Sequence, residues 1–177
     1  MRKLLLQGVL HAPLTEPTPE PDEAALTELA GRLDVAARHR FGRSLSIREV
    51  DAGSCNGCEL EIHALNNAFY DLERLGLRFV ASPRHADVLM VTGPLTKNMR
   101  EALERTYRAT PDPKWVVAVG DCAIDGGVFA NSYAVEGGIA CAVPVDLHIS
   151  GCPPTPTAIL SGLIALLDHA SGSADRV

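Results

Sequence analysis

The chain has 177 residues, 46% of them hydrophobic and 21% charged, enough apolar material for one globular domain with its own core. A formal charge of −6, with Lys and Arg scattered rather than gathered in a stripe, argues against a polyanion-binding surface, so nucleic acid is not expected as a partner. No apolar run approaches the roughly 20 residues of a membrane helix, and Met1 to Leu10 lacks the length and cleavage site of a signal peptide, so a soluble intracellular chain without a span of its own is expected.

Leu14 to Asp22 carries Pro17, Pro19 and Pro21 among acidic residues and reads as an extended connector, because proline cannot continue a helix and little here can be buried. From Asp22, an available cap, Leu26, Leu29, Leu33 and Ala37 recur at helical spacing, and the helix is expected to end near Gly42. Residues 1–44 are thus read as an amino-terminal extension, 45–170 as the main domain and 171–177 as a tail.

From Leu45 onward strand and helix signals alternate, the pattern of a parallel sheet wrapped by helices. The predicted strands are Leu45 to Val50, Leu77 to Ala81, Val88 to Thr92 and Trp115 to Val119, with a fifth apolar run from Ala142 to Ile149. A helix is predicted over Glu59 to Leu75, with Leu65, Ala68, Phe69, Leu72 and Leu75 on one face and Gly76 as its stop. A second spans Thr96 to Thr110, with Met99, Ala102, Leu103 and Tyr107 facing inward. The last has Thr155 as cap, Pro156 in its first turn, and Ile159, Leu160, Leu163, Ile164 and Leu167 on a broad apolar face, before a small polar tail after Ala170. Ala123 to Cys141, with Gly126, Gly127, Gly137 and Gly138, has no clean period and reads as an irregular loop over the crevice.

Five cysteines in a reducing compartment point to metal or redox chemistry more than to disulfides, and an odd count fits disulfides poorly. Four of them fall where the chain leaves a strand: Ser54-Cys-Asn-Gly-Cys58, Gly120-Asp-Cys122 and Ser150-Gly-Cys-Pro-Pro154. In a parallel sheet the carboxyl ends of neighbouring strands face one crevice, so Cys55, Cys58, Cys122 and Cys152 can converge although remote in sequence. Gly57 is expected to make the turn that aims the first two sulfurs at one centre. Four thiolates suit zinc or an iron–sulfur cluster. Structural zinc usually pairs two short knuckles, whereas one CxxC joined by two single cysteines from distant loops better matches a cluster several ångströms across.

The order CxGC, Gly120-Asp-Cys-Ala123, Asp125-Gly-Gly127, Val143-Pro-Val-Asp146 and Gly151-Cys-Pro-Pro154 resembles the small subunit of nickel–iron hydrogenases and the related 20 kDa, cluster-bearing subunit of respiratory complex I, over roughly Ile47 to Leu167. The resemblance implies a flavodoxin-like α/β fold and one 4Fe-4S cluster held by Cys55, Cys58, Cys122 and Cys152. Complex I subunits carry adjacent cysteines where this chain has the spaced pair, and uptake hydrogenases need further cysteines, whereas none follows Cys152. The similarity is therefore to the energy-converting, formate hydrogenlyase-type group. It implies an electron-transfer subunit whose partners are a nickel–iron large subunit, a ferredoxin-like iron–sulfur subunit and membrane subunits, on the cytoplasmic side of the inner membrane.

Levers on such a cluster are hydrogen bonds to sulfur, nearby charge and burial; the N–H groups of Asn56, Gly57, Gly151 and Ala123 are the expected sulfur donors. Glu61, four residues before Leu65, is expected on the inward stripe of its helix, with Glu59 nearly opposite. Complex I relatives carry a glutamate at the matching place, so Glu61 is a candidate for proton transfer or for the large-subunit interface. A helix-terminal carboxylate favoured by the dipole is the competing reading. Thr92-Gly-Pro94 is expected in the crevice wall, Asp121 and Asp125 are expected as turn formers, and His63, His85 and His148 lack metal partners at useful spacing. Cys141 is read as a buried small hydrophobe, and Trp115 as core or interface. Three alternatives remain. A complex I-type subunit beside a quinone site shares the fold, but the CxGC spacing stands against it. A flavin-binding protein would offer hydroxyls and backbone donors to a phosphate where this chain offers two thiols, and a zinc-stabilised interaction module would contain no iron.

Overall fold

The computed structural model describes residues 44–174, together with Glu28 and Gly31, and side chains as far as Leu167. The proline-rich connector and nearly all of the expected amino-terminal helix lie outside the described residues.

From Leu45 to Ala174, seven strands and four α-helices follow in chain order: β1 (Leu45–Asp51), α1 (Gly57–Ala64), β2 (Leu77–Phe79), β3 (Val88–Thr92), β4 (Leu95–Thr96), α2 (Arg100–Ala109), β5 (Trp115–Val119), α3 (Asp121–Asp125), β6 (Val135–Gly137), β7 (Leu147–Ile149) and α4 (Pro156–Ala174), with short 3₁₀ turns between. The main sheet has the order β2-β1-β3-β5-β7, and every pairing in it is parallel. This is the flavodoxin-like strand order, which runs outward from β1 in both directions and so opens a switch-point crevice between β1 and β3. β4 and β6 form a small antiparallel pair of their own.

Side chains alternate across the central strands because the strand period is two. Leu45 and Ile47, Val88 and Met90, and Val117 and Val119 enter one core with Ile62, Leu65, Ile159, Leu163 and Ile164 from α1, its C-terminal end and α4. Val50, Leu89 and Val91, and Val116 and Ala118 enter a second core with Leu103 of α2 and Ile139. The sheet is thus covered on both faces, as a parallel sheet requires, and the α/β fold with helices on both faces is present as expected. Thr155 caps α4 by accepting the Ala158 N–H at 3.2 Å.

Three aspartates tie neighbouring strands reciprocally. Asp87 accepts the Ser46 N–H at 2.9 Å while its own N–H donates to the Ser46 carbonyl. Asp146 accepts the Val116 N–H at 2.7 Å and donates its N–H to Val116. Asp121 accepts the Gly151 N–H at 2.8 Å and donates its N–H to Gly151. The first two work at the amino edge of the sheet and the third at the carboxyl edge. β7, only three residues long, is therefore fastened to β5 beyond both of its ends.

Several expectations shift. The helix predicted over Glu59 to Leu75 ends at Ala64, because the Asn67 side chain accepts the Phe69 and Tyr70 N–H groups and offers the backbone a turn instead. Phe69 and Ala68 are consequently exposed. Helix α2 begins at Arg100 rather than Thr96, since Leu95–Thr96 pairs as β4, and Ala102 faces solvent. The fifth run forms a strand only over Leu147–Ile149, after a 3₁₀ turn at Ile139–Cys141. The segment from Ala123 to Cys141, expected to be irregular, contributes β6 and the part of α3 from Ala123 to Asp125. Helix α4 continues to Ala174, past the end expected at Ala170.

Candidate metal centre

Each of the four strand-end cysteines reaches the same edge by a different local device. Asp51 closes β1 by accepting the Gly53 and Ser54 N–H groups at 2.7 and 2.6 Å, which turns the chain over the sheet edge. Cys55 follows, and the turn to Cys58 is made by Asn56, whose left-handed φ of 71° carries the backbone into α1. Gly57 has no such conformation, so the turn assigned to it from sequence belongs to its neighbour; asparagine tolerates this region better than most residues. Cys122 lies in α3, directly after β5 and Gly120. Cys152 follows β7 and precedes Pro153 and Pro154, which rigidify the exit.

An open pocket with about 410 Å³ of atom-free space is lined by Cys55, Cys58, Cys122 and Cys152 with Ser54, Gly57, Gly93, Asp121, Gly151 and Pro153. Gly93 places the segment after β3 in the wall, as expected of Thr92-Gly-Pro94. Cys55 and Cys152 are exposed, Cys58 half-buried and Cys122 buried, and none is in a disulfide. Among the described residues, no three His, Cys, Asp or Glu side chains are gathered as they would be around a single metal ion.

Two glycines make room for the sulfurs. A Cβ on Gly120, whose φ is +88°, would stand 2.6 Å from the Cys58 sulfur, and one on Gly127 (φ +49°) would stand 2.8 Å from that of Cys122. Burial pushes the Cys58 thiol up to about 12, with Glu59 and the other three cysteines adding to it. Burial also raises Cys122, with Cys152 adding, while a backbone hydrogen bond from Val128 opposes the rise. In this chain alone the inner thiols therefore hold their protons, and a bound metal would have to displace them. Soft thiol donors from three loops, glycines cleared of side chains beside two sulfurs, and an open pocket together fit a thiolate-bound metal group.

The sulfur donors expected from sequence are largely committed elsewhere. The Asn56 N–H donates to Ser54 Oγ at 3.0 Å, Gly151 to Asp121, and Ala123 to the Gly120 carbonyl at 3.0 Å. Val128, not anticipated, supplies one instead. The helix phase also differs from expectation: Glu59 is only 6% exposed, with neither carboxylate oxygen hydrogen-bonded, whereas Glu61 is half-buried. The short helix takes its phase from Ile62, and Glu59 lies three residues before it on the same face. Asp125 is a turn former as expected, accepting the Gly127 N–H at 2.7 Å. His63, His85 and His148 are exposed, Trp115 is half-buried, and Cys141 is exposed rather than buried.

Fold and site together define a doubly wound α/β domain that presents four thiols in the crevice beyond its parallel strands. Residues 55–166 match the family described as the NADH ubiquinone oxidoreductase, 20 Kd subunit, and the chain belongs to that family. It is 42% identical to formate hydrogenlyase subunit 7 of Escherichia coli over 147 residues, which are 83% of this chain and 58% of that subunit. It is 46% identical to the probable membrane-bound hydrogenase subunit mbhJ of Pyrococcus furiosus over 128 residues, 72% of this chain and 77% of that protein. A chain in the solved structure of the membrane-bound sulfane sulfur reductase, an archaeal respiratory membrane complex, superposes with a TM-score of 0.64 at 35% identity, covering 76% of this chain and 74% of that one. The chain thus spans little more than half the length of the Escherichia coli subunit it matches. Among the described residues no helix is long and apolar enough to cross a membrane.

Proposed function

We propose that this chain is the electron-transfer subunit of a multisubunit membrane-associated hydrogenase, holding a single 4Fe-4S cluster on Cys55, Cys58, Cys122 and Cys152. The observation that carries the reading is the delivery of these four thiols, from three separate loops, to one pocket at the switch-point edge of the sheet. Such a cluster supplies a one-electron carrier. The chain's own residues would do the rest: Gly120 and Gly127 leave the sulfurs unobstructed, Val128 donates to Cys122, and the loops after β1, β5 and β7 fix the spacing of the ligands.

In this reading the nickel–iron site belongs to a separate large subunit, and electrons pass between it and a ferredoxin-like subunit through this chain, at the cytoplasmic side of the membrane and held there by membrane subunits. The hydrogenase names of two relatives and the spaced CxGC pair support it. Glu61, half-buried one turn after Cys58, is our candidate for proton exchange near the site. The alternative is a complex I-type subunit next to a quinone site, a reading favoured by the description of the family itself.

The test is iron and acid-labile sulfide content, with low-temperature electron paramagnetic resonance after reduction, on anaerobically purified protein and on Cys58→Ala. A full cubane complement of iron and sulfide, with a reducible signal that the variant loses, is expected. One zinc and no iron in protein never exposed to air would overturn the reading. Co-purification of a nickel-containing partner separates the hydrogenase from the complex I form.

A further inference from the structure

Asp121 lines the pocket, precedes Cys122 and is bonded twice to Gly151, the residue before Cys152. Its carboxylate accepts the Gly151 N–H at 2.8 Å, and its own N–H donates to the Gly151 carbonyl at 3.0 Å. Just before it, the Gly120 N–H donates to the Ile149 carbonyl at 2.8 Å. The loops that deliver the third and fourth thiols are therefore locked in register by one side chain and two backbone bonds.

We propose that Asp121 is a positioning residue that sets Cys152 against Cys122 and, through its negative charge at the pocket wall, holds the reduction potential of the bound group down. This rests on the cluster reading above. Two features separate it from an ordinary loop aspartate. The same reciprocal clasp recurs at Asp87 and Asp146, where it closes strand pairs at the opposite edge of the sheet and touches no cysteine. At Asp121 it has been placed between two candidate ligands. Asp121 is also among the residues that line the pocket, so its charge lies near an electron added there.

The experiment uses the full chain reconstituted anaerobically with iron and sulfide, comparing wild type, Asp121→Asn, Asp121→Ala and Asp87→Ala. Asparagine keeps a side-chain acceptor for Gly151 and removes only the charge. Asp121→Asn is therefore expected to retain the iron of wild type and to titrate at a more positive potential. Asp121→Ala removes the side-chain part of the clasp, leaving the two backbone bonds, and is expected to lose iron to a chelator about tenfold faster or more, with an altered resonance signal. Asp87→Ala, which opens the clasp between β1 and β3 at the far edge, should lower the thermal midpoint yet leave iron retention and potential as in wild type. The proposal is overturned if Asp121→Ala keeps its iron with an unchanged signal, if Asp87→Ala reproduces the iron loss, or if Asp121→Asn titrates at the wild-type potential. That last readout stands even if Asp121→Ala does not fold. A wild-type chain that binds no cluster would instead overturn the functional reading, so the two failures are distinct.

Discussion

The α carbon of Gly120 faces the sulfur of Cys58 so closely that a methyl group there would stand 2.6 Å from it. The position also has a φ of +88°, which a side chain tolerates poorly. Gly120→Ala should therefore displace Cys58 or the loop after β5, and destabilise the fold by about 1–3 kcal/mol for the strain alone. Iron content after anaerobic reconstitution should fall well below that of wild type. Gly127→Ala, with its methyl 2.8 Å from the Cys122 sulfur, should behave in the same direction. Full iron loading in both variants would show that the sulfurs do not need this clearance.

In metal-free protein Cys58 should alkylate more slowly than the exposed Cys55 and Cys152, because burial and then the charge of Glu59 push it up to about 12 and the thiolate is the nucleophile; the buried Cys122 should be slow as well. Cys55 and Cys152, both exposed, should react first. Glu59→Gln should speed the Cys58 reaction by removing the adjacent charge. Mass spectrometry of a timed iodoacetamide reaction reads all four positions at once. A Cys58 rate equal to that of Cys55 would contradict the assignment.

Glu49, on β1, is raised above 4.5 by burial first and by the charge of Glu59 second. The folded state thus binds its proton more tightly than the unfolded chain does. The stability this contributes is fully present below 4.5 and is lost as pH rises through the raised folded value. Glu49→Gln should then be more stable than wild type near about pH 7, with the difference vanishing near about pH 4. Thermal midpoints of the metal-free protein across that range measure it, and a constant difference at all pH values would refute the cause.

Asp87→Ala leaves the buried Ser46 N–H without its side-chain acceptor, at a cost of about 1–3 kcal/mol. Because Asp87 sits at the amino edge of the sheet, away from the pocket, the variant should unfold at lower denaturant yet reconstitute with the iron of wild type. Loss of iron at an undiminished unfolding midpoint would reverse that separation.

The central strands were legible because they are fully buried on both faces and read as continuous apolar runs: Val88 to Thr92 and Trp115 to Val119 were bounded as found. The meeting of the cysteines followed from parallel topology alone. What failed was phase and local competition. Extending a helical stripe back from Leu65 put Glu61 inside and Glu59 outside, but α1 ends at Ala64, and Ile62 sets which face is buried. Nothing in the apolar pattern announced that Asn67 would bond its own downstream backbone and end the helix. Likewise Asp121, Asp87 and Asp146 look like ordinary turn formers in sequence, and their role across strands emerges only when the partner strand is known.

Cys152 is synthesised about 100 residues after Cys55, a delay of roughly 5–20 s at ordinary translation rates. Its loop is aligned only when β7, a three-residue edge strand, has docked on β5. A nascent chain that has exposed Cys55 and Cys58 therefore offers half a ligand set, and the set is completed after the last strand of the main sheet in chain order. A group that needs all four sulfurs can be retained only by a finished domain. Assembly factors that deliver it would in that case meet a folded domain, and occupancy would itself serve as quality control on folding.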